Sequence, residues 1–458
     1  MKRQRKEQRQ GREQRQNSRR DFLKTSALTA AGLWAGGTWS GQWTGRRVWG
    51  SATQPATEKL SLAVIGVSNQ GLWNLEQLAT TNQAIVALCD VDNRNTGKAR
   101  EMFPKAEFFV DYRQMIDKLH KQIDAVLVAT PDHSHAHATM AALRADKHVY
   151  CEKPLTHTVW EAQQIMAAAR KHKRITQMGT QIHAGNNYRR VVEIVQAGVI
   201  GKVHTVHVWA PLFDVHWSGE ARPKESQPVP EGVNWDLWIG PAPMRPYHEV
   251  YMPQRWRGWW DFGGGGHADM ACHYLDLAYW ALGLGHPKTI EAEGPPVHEE
   301  STPKQLRVRY QHAARGDQPA VKVTWGIGHK HPDDYDKDKM PDWGAGVLFI
   351  GEKGMLASDY NRHQLYPEAD FADFKPLKPT IPDSIGHHAE WIKAIKEGGQ
   401  TTCNFGYSGV LTQAVLLGNV AYRSGRKLEW DPERMKLPNA PEAEKFLRRE
   451  YRKGWELV

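Results

Sequence analysis

The sequence predicts an α/β fold in which a doubly wound parallel sheet is followed by a second domain with both helices and strands. Short apolar runs alternate with helix-like stretches between residues 60 and 179, and this alternation is typical of parallel strands joined by helices. The first run, at 60–65, leads through a glycine-bounded turn into a helix-like stretch at 72–78. From residue 202 the composition changes, and further strand patterns follow at 305–311, 320–326 and 346–351.

The composition is ordinary for a globular protein with two domains. The chain has 458 residues, of which 40% are apolar and 24% charged, and this length allows a large core. The net charge of +9 belongs to the N-terminus, because residues 1–52 hold 12 of the 60 Lys and Arg and 3 of the 51 Asp and Glu, which leaves 48 of each. Net charge therefore does not support a nucleic-acid partner for the folded body.

The four cysteines lie far apart, at Cys89, Cys151, Cys272 and Cys403. Because no two of them form a Cys-x-x-Cys pair, we expect no structural metal site. Disulfides between distant cysteines stay open as an alternative, although the core is large enough to fold without them.

Residues 1–52 are interpreted as an export leader. Residues 1–17 are rich in arginine and glutamine and lack apolar periodicity, which is typical of disorder. The stretch Ser18-Arg19-Arg20-Asp21-Phe22-Leu23-Lys24 follows, and then a mildly apolar segment at 25–37. That segment is about half as long as a membrane-spanning helix, so no stable membrane span is expected.

The layout of the leader resembles a twin-arginine signal. The resemblance implies recognition by the twin-arginine export machinery and a periplasmic location, with retention at the membrane by an uncleaved signal as an alternative. Such systems move folded proteins, so the signal fits an enzyme that acquires its cofactor before export. A basic RNA-binding tail is the other interpretation of the arginines.

The turn after the first strand has the spacing of a dinucleotide-binding motif. It reads Gly66-Val67-Ser68-Asn69-Gln70-Gly71, where Gly66 allows a tight turn and Gly71 allows the helix to pack closely on the strand. Free N–H groups at the start of that helix favour a pyrophosphate. Ser68 stands where a second glycine is expected, and its hydroxyl can bond a phosphate. Gly66, Ser68, Asn69, Gln70 and Gly71 are therefore candidate cofactor-binding residues.

The second strand pattern, at 84–89, ends at Asp90, nineteen residues beyond Gly71. This is near the spacing of a carboxylate that bonds the adenosine ribose, and a carboxylate there repels a 2′-phosphate. NAD is therefore favoured over NADP. The alternative is an acid that forms a turn or caps a helix.

A third strand at 107–110 and a helix that Asp111 caps and that runs through Leu119 precede the fourth strand, at 124–129. This strand leads into Thr130-Pro131-Asp132-His133-Ser134-His135-Ala136-His137. Alternate histidines can chelate zinc, but a helix predicted over 136–143 would separate the three rings. We therefore expect a loop that lines the cofactor site, with Thr130, Pro131 and His135 facing it, and no metal.

The stretch Tyr150-Cys151-Glu152-Lys153-Pro154 follows the strand pattern at 148–150. A lysine at the carboxyl end of a parallel strand points into the crevice where such sheets bind ligands. The proline keeps Lys153 out of the helical conformation, so the side chain is presented from an extended segment. The alternative for this tripeptide is a solvated loop.

A helix at 157–172 and a strand at 174–179 complete the first domain, and residues 180–187, which include Gln181, are expected to face the crevice. Between residues 205 and 343 the chain has ten tryptophans. Their faces suit the apolar patches of sugars, although core packing explains most of them equally well.

Four glycines at 263–266 run into a stretch with helical periodicity. Asp269, His273 and Asp276 follow at i, i+4 and i+7, so the three side chains share one helix face. An acid one turn before a histidine can orient the ring and support its charged form, and histidine exchanges protons near neutral pH.

Together these motifs resemble the Gfo/Idh/MocA family of oxidoreductases over residues 60 to about 432. The resemblance implies a Rossmann domain, at 57–180, and an α+β domain with a large, open, mainly antiparallel sheet, at 181–440, with the cofactor between them. Ala271 stands where the family often has glycine. The charged tail at 441–458 is expected to contact another subunit in a homo-oligomer.

The resemblance also implies hydride transfer from a sugar or polyol to NAD. His273 would be the general base, Lys153 would stabilise the reacting oxygen, and Asp269 would orient His273 or bind a neighbouring hydroxyl. Glu152, Lys153 and Gln181 join the turn residues, Asp90, Thr130, Pro131 and His135 as expected cofactor contacts. Two alternatives stay open: a redox-neutral NAD-dependent glycosidase, and a secreted carbohydrate-binding protein without turnover.

Overall fold

A computed structural model describes residues 58–211, 221–329, 331, 336, 340 and 342–457. The predicted leader with Arg19 and Arg20 lies outside these residues, as does Trp217. Both sheets of the fold lie within one unit of the chain that begins at Ala52.

The first sheet has six parallel strands: β1 Ser61–Ile65, β2 Ala84–Cys89, β3 Glu107–Phe109, β4 Ala125–Val128, β5 His148–Glu152 and β6 Thr176–Gly179. Their order across the sheet is β3-β2-β1-β4-β5-β6. The order reverses between β1 and β4, which is where open sheets of this type bind ligands at the carboxyl ends of their strands. The predicted doubly wound parallel sheet is confirmed.

Five helices connect these strands: α1 Gln70–Ala79, α2 Gly97–Met102, α3 Tyr112–Leu119, α4 Asp132–Arg144 and α5 Val159–His172. Helix α4 begins four residues before the predicted start at residue 136. Pro131 lies directly before its first turn, where the fixed φ of proline suits a helix start. The acid Asp132 stands in that first turn, at the end of the helix where the dipole stabilises a negative charge. His133, His135 and His137 therefore lie within the helix.

The second sheet has eight strands: β7 Val203–Ala210, β8 Thr289–Glu293, β9 Leu306–His312, β10 Val321–Ile327, β11 Gly346–Gly351, β12 Gly354–Ser358, β13 His363–Tyr366 and β14 Leu428–Glu429. Their order is β13-β12-β11-β7-β10-β9-β8-β14. Strands β7 and β10 are parallel, and the other neighbours are antiparallel. The predicted α+β architecture with a mainly antiparallel sheet is confirmed.

The remaining helices are α6 Asn186–Gln196, α7 Trp235–Ile239, α8 Gly265–Leu282, α9 His387–Glu397 and α10 Phe405–Ser424. Short 3-10 helices lie at Asn93–Asn95, Gln181–Ala184, Arg255–Gly258, Glu368–Phe371 and Pro441–Phe446. Helix α8 packs against α6, α10 and the strands β7, β10 and β11. It is therefore held from several sides.

The segment before α8 requires glycines, because neighbouring atoms lie too close to leave room for a Cβ atom. A Cβ on Gly264 would lie 2.4 Å from the Cβ of Ala268, and one on Gly263 would lie 2.7 Å from the Cα of Arg257. Gly265 has a φ of +70°, a conformation that glycine adopts readily. Larger residues would displace the start of α8.

The tryptophans of the second domain mainly fill the core. Trp209, Trp259 and Trp325 are buried, and Trp235, Trp238 and Trp256 pack in one cluster with Tyr247, Tyr251 and Phe262. Trp235 and Trp238 stack with ring centroids 4.7 Å apart. Core packing, rather than an open sugar platform, accounts for these side chains.

The C-terminal segment folds back on the chain. Leu447, Trp455 and Leu457 are buried, and Arg449 forms an ion pair with Glu161 of α5 at 3.2 Å. Subunit contact through this segment stays a prediction. Among the described helices, none combines the length and apolar character that crossing a membrane requires.

The buried histidines predict that acid destabilises the fold. Burial lowers the pKa of nine of them to about 3 or 4: His133, His135, His137, His148, His267, His273, His312, His387 and His388. The unfolded chain then binds more protons below pH 6.5, so the free energy of unfolding falls as the pH drops from 6.5 towards 4. Burial raises the pKa of Asp90 to about 6 and that of Asp132 to about 7, which acts in the opposite direction but involves fewer groups.

We expect urea unfolding to show lower stability at pH 5 than at pH 7. His267→Asn should reduce the pH dependence by about 1.4 kcal/mol per pH unit, because one proton uptake is lost. The exposed His204 supplies the control, since His204→Asn should leave the pH dependence unchanged. Greater stability at pH 5 than at pH 7 would contradict the assignment.

Candidate active site

Lys153 lies just beyond the end of β5 and reaches helix α8 of the second domain. Its Nζ donates to Oδ1 of Asp269 at 2.5 Å and to the Asp269 carbonyl at 3.0 Å. The two side chains are only 13% and 16% exposed. A loop of the first domain and a helix of the second thus meet in a largely buried ion pair.

Arg257 is a second cation on the same carboxylate. Its Nε lies 3.2 Å from Oδ1 of Asp269, and its guanidinium packs over the Trp256 ring at 4.2 Å. Burial alone would raise the pKa of Asp269, but Lys153 and Arg257 outweigh burial and hold this pKa well below its usual range. Asp269 is therefore an anion at every physiological pH.

His273 follows Asp269 by one turn of α8. Burial and then the charge of Lys153 lower the pKa of His273 to about 3, against the opposing effect of Asp269. The imidazole is therefore neutral at pH 7 and can accept a proton. Its Nδ1 has no hydrogen-bond partner among the described residues. The Tyr188 hydroxyl donates to the His273 carbonyl at 3.2 Å.

Asp276, the third residue of the predicted face, is turned into the core. Its carboxylate lies 2.9 and 3.0 Å from Nδ1 of His183 and accepts from the Tyr407 hydroxyl at 2.7 Å. Ligand atoms of His183, Asp276 and Cys403 lie within 4.8 Å of one another, yet the His183 ring stacks on Trp280 at 4.1 Å. We interpret these side chains as a hydrogen-bonded brace between α8, α10 and the 181–184 turn.

Glu152 points the other way from Lys153, as successive side chains of an extended segment do. Its Oε1 accepts from the side-chain amides of Gln70 at 3.3 Å, Asn74 at 2.9 Å and Gln181 at 2.7 Å. Burial raises the pKa of Glu152, although these amides and Lys153 oppose the rise. Glu152 therefore connects the glycine turn to the residues after β6.

The glycine turn has the geometry that the motif predicts. Gly66 has a φ of +82°, and a Cβ there would lie 2.5 Å from the Ala129 carbonyl oxygen. A Cβ on Gly71 would lie 1.9 Å from the Gly66 carbonyl oxygen. Asn69 and Gln70 are exposed at the start of α1, and no described side chain caps this helix.

Asp90 is placed beside the glycine turn. Its Oδ2 accepts from the Val67 amide at 2.9 Å and its Oδ1 from the Asp92 amide at 3.0 Å. Burial raises its pKa to about 6, partly offset by these backbone hydrogen bonds. Asp90, which we predict to bond the ribose, therefore also links the end of β2 to the glycine turn.

The Thr130–His135 segment lies between β4 and the Lys153 loop. His135 is buried, with Nε2 2.7 Å from the Thr130 carbonyl oxygen and Nδ1 2.7 Å from that of Pro154. It joins the two loops. His133 and His137 bond the separate carbonyls of Trp238 and Trp455, so the three rings do not converge.

Three residues of the site were missed from the sequence. Arg257 and Asn74 lie outside the motifs, and their only signal is proximity in the chain to the glycine run and the glycine turn. Asp132 belongs to the segment after β4, but the sequence pattern assigns it no role. Burial raises its pKa to about 7, with Arg257, Asp269 and Lys153 acting as nearby charges. The sequence pattern predicts that helix α4 begins at residue 136, so it does not indicate that Asp132 lies in the first turn of that helix.

Family models describe both parts of the chain. Residues 60–180 match the NAD-binding Rossmann fold of the Gfo/Idh/MocA oxidoreductase family, and residues 184–321 match its C-terminal alpha/beta domain. The two matches together cover more than half of the chain. The fold and the two matches thus define the class, which is an NAD-binding Rossmann domain followed by the C-terminal alpha/beta domain of an oxidoreductase family. The chain belongs to the Gfo/Idh/MocA family.

Two related sequences match parts of this chain. The inositol 2-dehydrogenase of Salmonella typhimurium is 30% identical over 152 residues, which cover 32% of this chain and 45% of that protein. The uncharacterized oxidoreductase YrbE of Bacillus subtilis is 27% identical over 320 residues, which cover 69% of this chain and 79% of that protein. The chain therefore spans less than half the length of the inositol 2-dehydrogenase that it matches.

Solved structures have the same fold over most of the chain. GenD2 from gentamicin A biosynthesis, in complex with NAD, is 18% identical with a TM-score of 0.58, covering 83% of this chain and 99% of that one. The WlbA dehydrogenase from Bordetella pertussis, in complex with NADH and UDP-GlcNAcA, is 16% identical with a TM-score of 0.58, covering 82% and 99%.

The residues present fit a dinucleotide. The two glycines leave no room for Cβ atoms, the exposed start of α1 offers backbone N–H groups, and this helix has no acid in its first turn. Two buried polar atoms that line the region, Oγ1 of Thr130 and Oε2 of Glu152, have no partner among the described residues. Whether Asp90, Pro131, His135 and Gln181 touch the cofactor stays a prediction.

Gly71→Ala is expected to weaken NAD binding at least tenfold. The added Cβ would push α1 away from the turn, because the Gly66 carbonyl lies 1.9 Å from its position. Calorimetric titration with NAD checks this, with circular dichroism to verify folding. Gly97→Ala is the matched control, since nothing lies within 4 Å of a Cβ there. NAD affinity equal to wild type in Gly71→Ala would show that the turn does not hold the cofactor.

Proposed function

We propose that this protein oxidises a CH–OH group of a sugar or polyol with NAD, and that Lys153 and His273 act on the hydroxyl. The observation that carries the proposal is the Lys153–Asp269 ion pair, which holds an ammonium one helical turn from a neutral imidazole. An ammonium and a neutral imidazole beside one hydroxyl are the groups that alcohol oxidation requires. Membership of an oxidoreductase family supports the same reaction type.

Each residue has a separate task in the proposed reaction. His273 takes the hydroxyl proton, because its ring is neutral at pH 7 and its Nδ1 has no partner among the described residues. Lys153 donates a hydrogen bond to the same oxygen and stabilises its developing negative charge. Asp269 keeps the ammonium in place and can bind a neighbouring hydroxyl. When bound, NAD supplies the hydride acceptor.

The substrate class rests on the polar character of the site and on relatives. Lys153, Asp269 and Arg257 present charged groups that hydrogen-bond hydroxyls. Related proteins carry the names inositol 2-dehydrogenase and myo-inositol 2-dehydrogenase. A polyhydroxylated ring fits both observations.

Lys153→Met is expected to abolish hydride transfer and to retain NAD affinity. Purified protein is incubated with NAD and a panel of polyols and sugars, and NADH is followed by its absorbance, with calorimetry for cofactor binding. Wild-type turnover in Lys153→Met would remove the assigned role. Substrate consumption by the wild type without net NADH would instead indicate a closed redox cycle.

Two further variants separate catalysis from folding. Lys153→Met leaves the buried carboxylate of Asp269 with Arg257 as its remaining cation, which costs stability. The double change Lys153→Met/Asp269→Asn removes that charge and should recover the melting temperature but not the activity. Lys171→Met, at an exposed position of α5, should behave as wild type in both measurements.

We also propose export by the twin-arginine route. The support is the stretch Ser18-Arg19-Arg20-Asp21-Phe22-Leu23-Lys24 before an apolar segment, in a protein whose cofactor would be bound in the folded state. Periplasmic location follows from this proposal.

Arg19→Lys/Arg20→Lys is expected to keep the protein in the cytoplasm. A paired lysine keeps the charge but lacks the planar guanidinium that distinguishes arginine. Fractionation and immunoblotting of a bacterium with a twin-arginine pathway measure the distribution. Arg12→Lys, with the same charge outside the paired arginines, should be exported normally. Equal periplasmic fractions for both variants would rule out the twin-arginine assignment.

A further inference from the structure

A cavity lies beside the glycine run that leads into α8. Its volume is about 280 Å³. Walls come from α5, α10, the glycine run and the C-terminal segment, including Trp260, Gly264, Asn419, Arg423 and Phe446. Lys153, Asp269 and His273 do not line it, so the cavity is separate from the proposed active site.

Arg423 is the central cation of this cavity. Its guanidinium lies over two aromatic rings, 4.8 Å from the Trp260 centroid and 4.3 Å from that of Phe446. Among the described residues no hydrogen bond or ion pair engages it. Burial lowers the pKa of Arg423 to about 10, partly offset by Asp261, so the group is charged at neutral pH. A partly buried charge that no described carboxylate contacts directly is costly.

Two further cations stand at the rim. Lys445 lies over the Phe446 ring at 5.0 Å and Arg448 over the Trp160 ring at 5.2 Å. Neither has a carboxylate partner in the described part of the chain. Stacking on rings keeps these long side chains at the cavity and leaves their N–H groups available.

The acids near the cavity are already paired. Asp261 forms an ion pair with Arg245, and Glu161 is paired with Arg449. Asn419 donates to the Gly264 carbonyl at 3.0 Å, which fixes the floor of the cavity. Asp261 also lines the cavity and acts on Arg423 without an ion pair to it. Arg423, Lys445 and Arg448 still give the lining more positive than negative charge.

We propose that this cavity binds a small oxyanion of the phosphate class, either inorganic phosphate or a phosphate monoester. The planar guanidinium of Arg423 presents a pair of N–H donors that match two phosphate oxygens, and its rings hold it in one orientation. Lys445 and Arg448 supply the second charge that a dianion needs. The rigid floor and the unpaired cations distinguish this cavity from a solvated surface patch.

The test is calorimetric titration of NAD-saturated protein with inorganic phosphate, against sodium chloride at equal ionic strength. NAD saturation occupies the helix start of α1, where phosphate could also bind. We expect saturable binding with one phosphate per chain. Arg423→Gln should weaken it at least tenfold, and Lys445→Gln/Arg448→Gln severalfold. Arg434→Gln is the control, because this arginine is exposed and pairs with Asp431 away from the cavity.

A second titration uses glycerol 3-phosphate, a phosphate monoester. Tighter binding of this compound than of inorganic phosphate indicates a monoester as the ligand, and tighter binding of inorganic phosphate indicates the free ion. The proposal is overturned if wild type shows no saturable phosphate heat, or if Arg423→Gln binds phosphate as wild type does. If circular dichroism shows that Arg423→Gln is unfolded, the Lys445→Gln/Arg448→Gln variant decides, and unchanged affinity in it overturns the proposal. NADH production from the polyol panel tests the proposed oxidation separately, and none of these phosphate-binding results decides it.

Discussion

The Lys153–Asp269 ion pair is the contact on which the arrangement of the site depends. The two residues are separated by 116 positions in the chain and belong to different domains, yet their charged atoms lie 2.5 Å apart. Removing two charges from water is costly, and one close contact seldom offsets that cost. Arg257 adds a second cation to the same oxygen. The carboxylate therefore stays ionised, and α8 stays registered against the end of β5.

Glu152, the residue before Lys153, shows how strongly the surroundings of a carboxyl group determine its pKa. Glu152 and Asp269 are both buried acids, but Glu152 meets three side-chain amides where Asp269 meets two cations. Burial therefore wins for Glu152 and raises its pKa, whereas the cations win for Asp269 and lower its pKa. Glu152 and Lys153 point to opposite sides of one extended segment, so this dipeptide contacts the glycine turn with one side chain and α8 with the other.

Much of the first domain could be predicted because its signals are local. Apolar periodicity located β1 to β6, and the spacing of Gly66 and Gly71 located the turn. The second sheet could not be ordered in the same way, because β7 pairs with β10 and β11, which are more than 100 residues away. Arg257 was missed for a related reason. A lone arginine in a short 3-10 helix has no periodic signal, and only the folded chain brings it to Asp269.

The aromatic residues set a limit on how a substrate can be held. The tryptophans that could have formed a sugar platform are mostly in the core, and the Trp256 ring is covered by Arg257. Stacking on exposed aromatic faces therefore contributes little at the described part of the site. In the reaction that we propose, recognition comes from hydrogen bonds with fixed charged groups, which a substrate with several hydroxyls can satisfy and an alcohol with one hydroxyl cannot. The proposed selectivity for polyhydroxylated compounds therefore rests on the same ion pair that positions the ammonium.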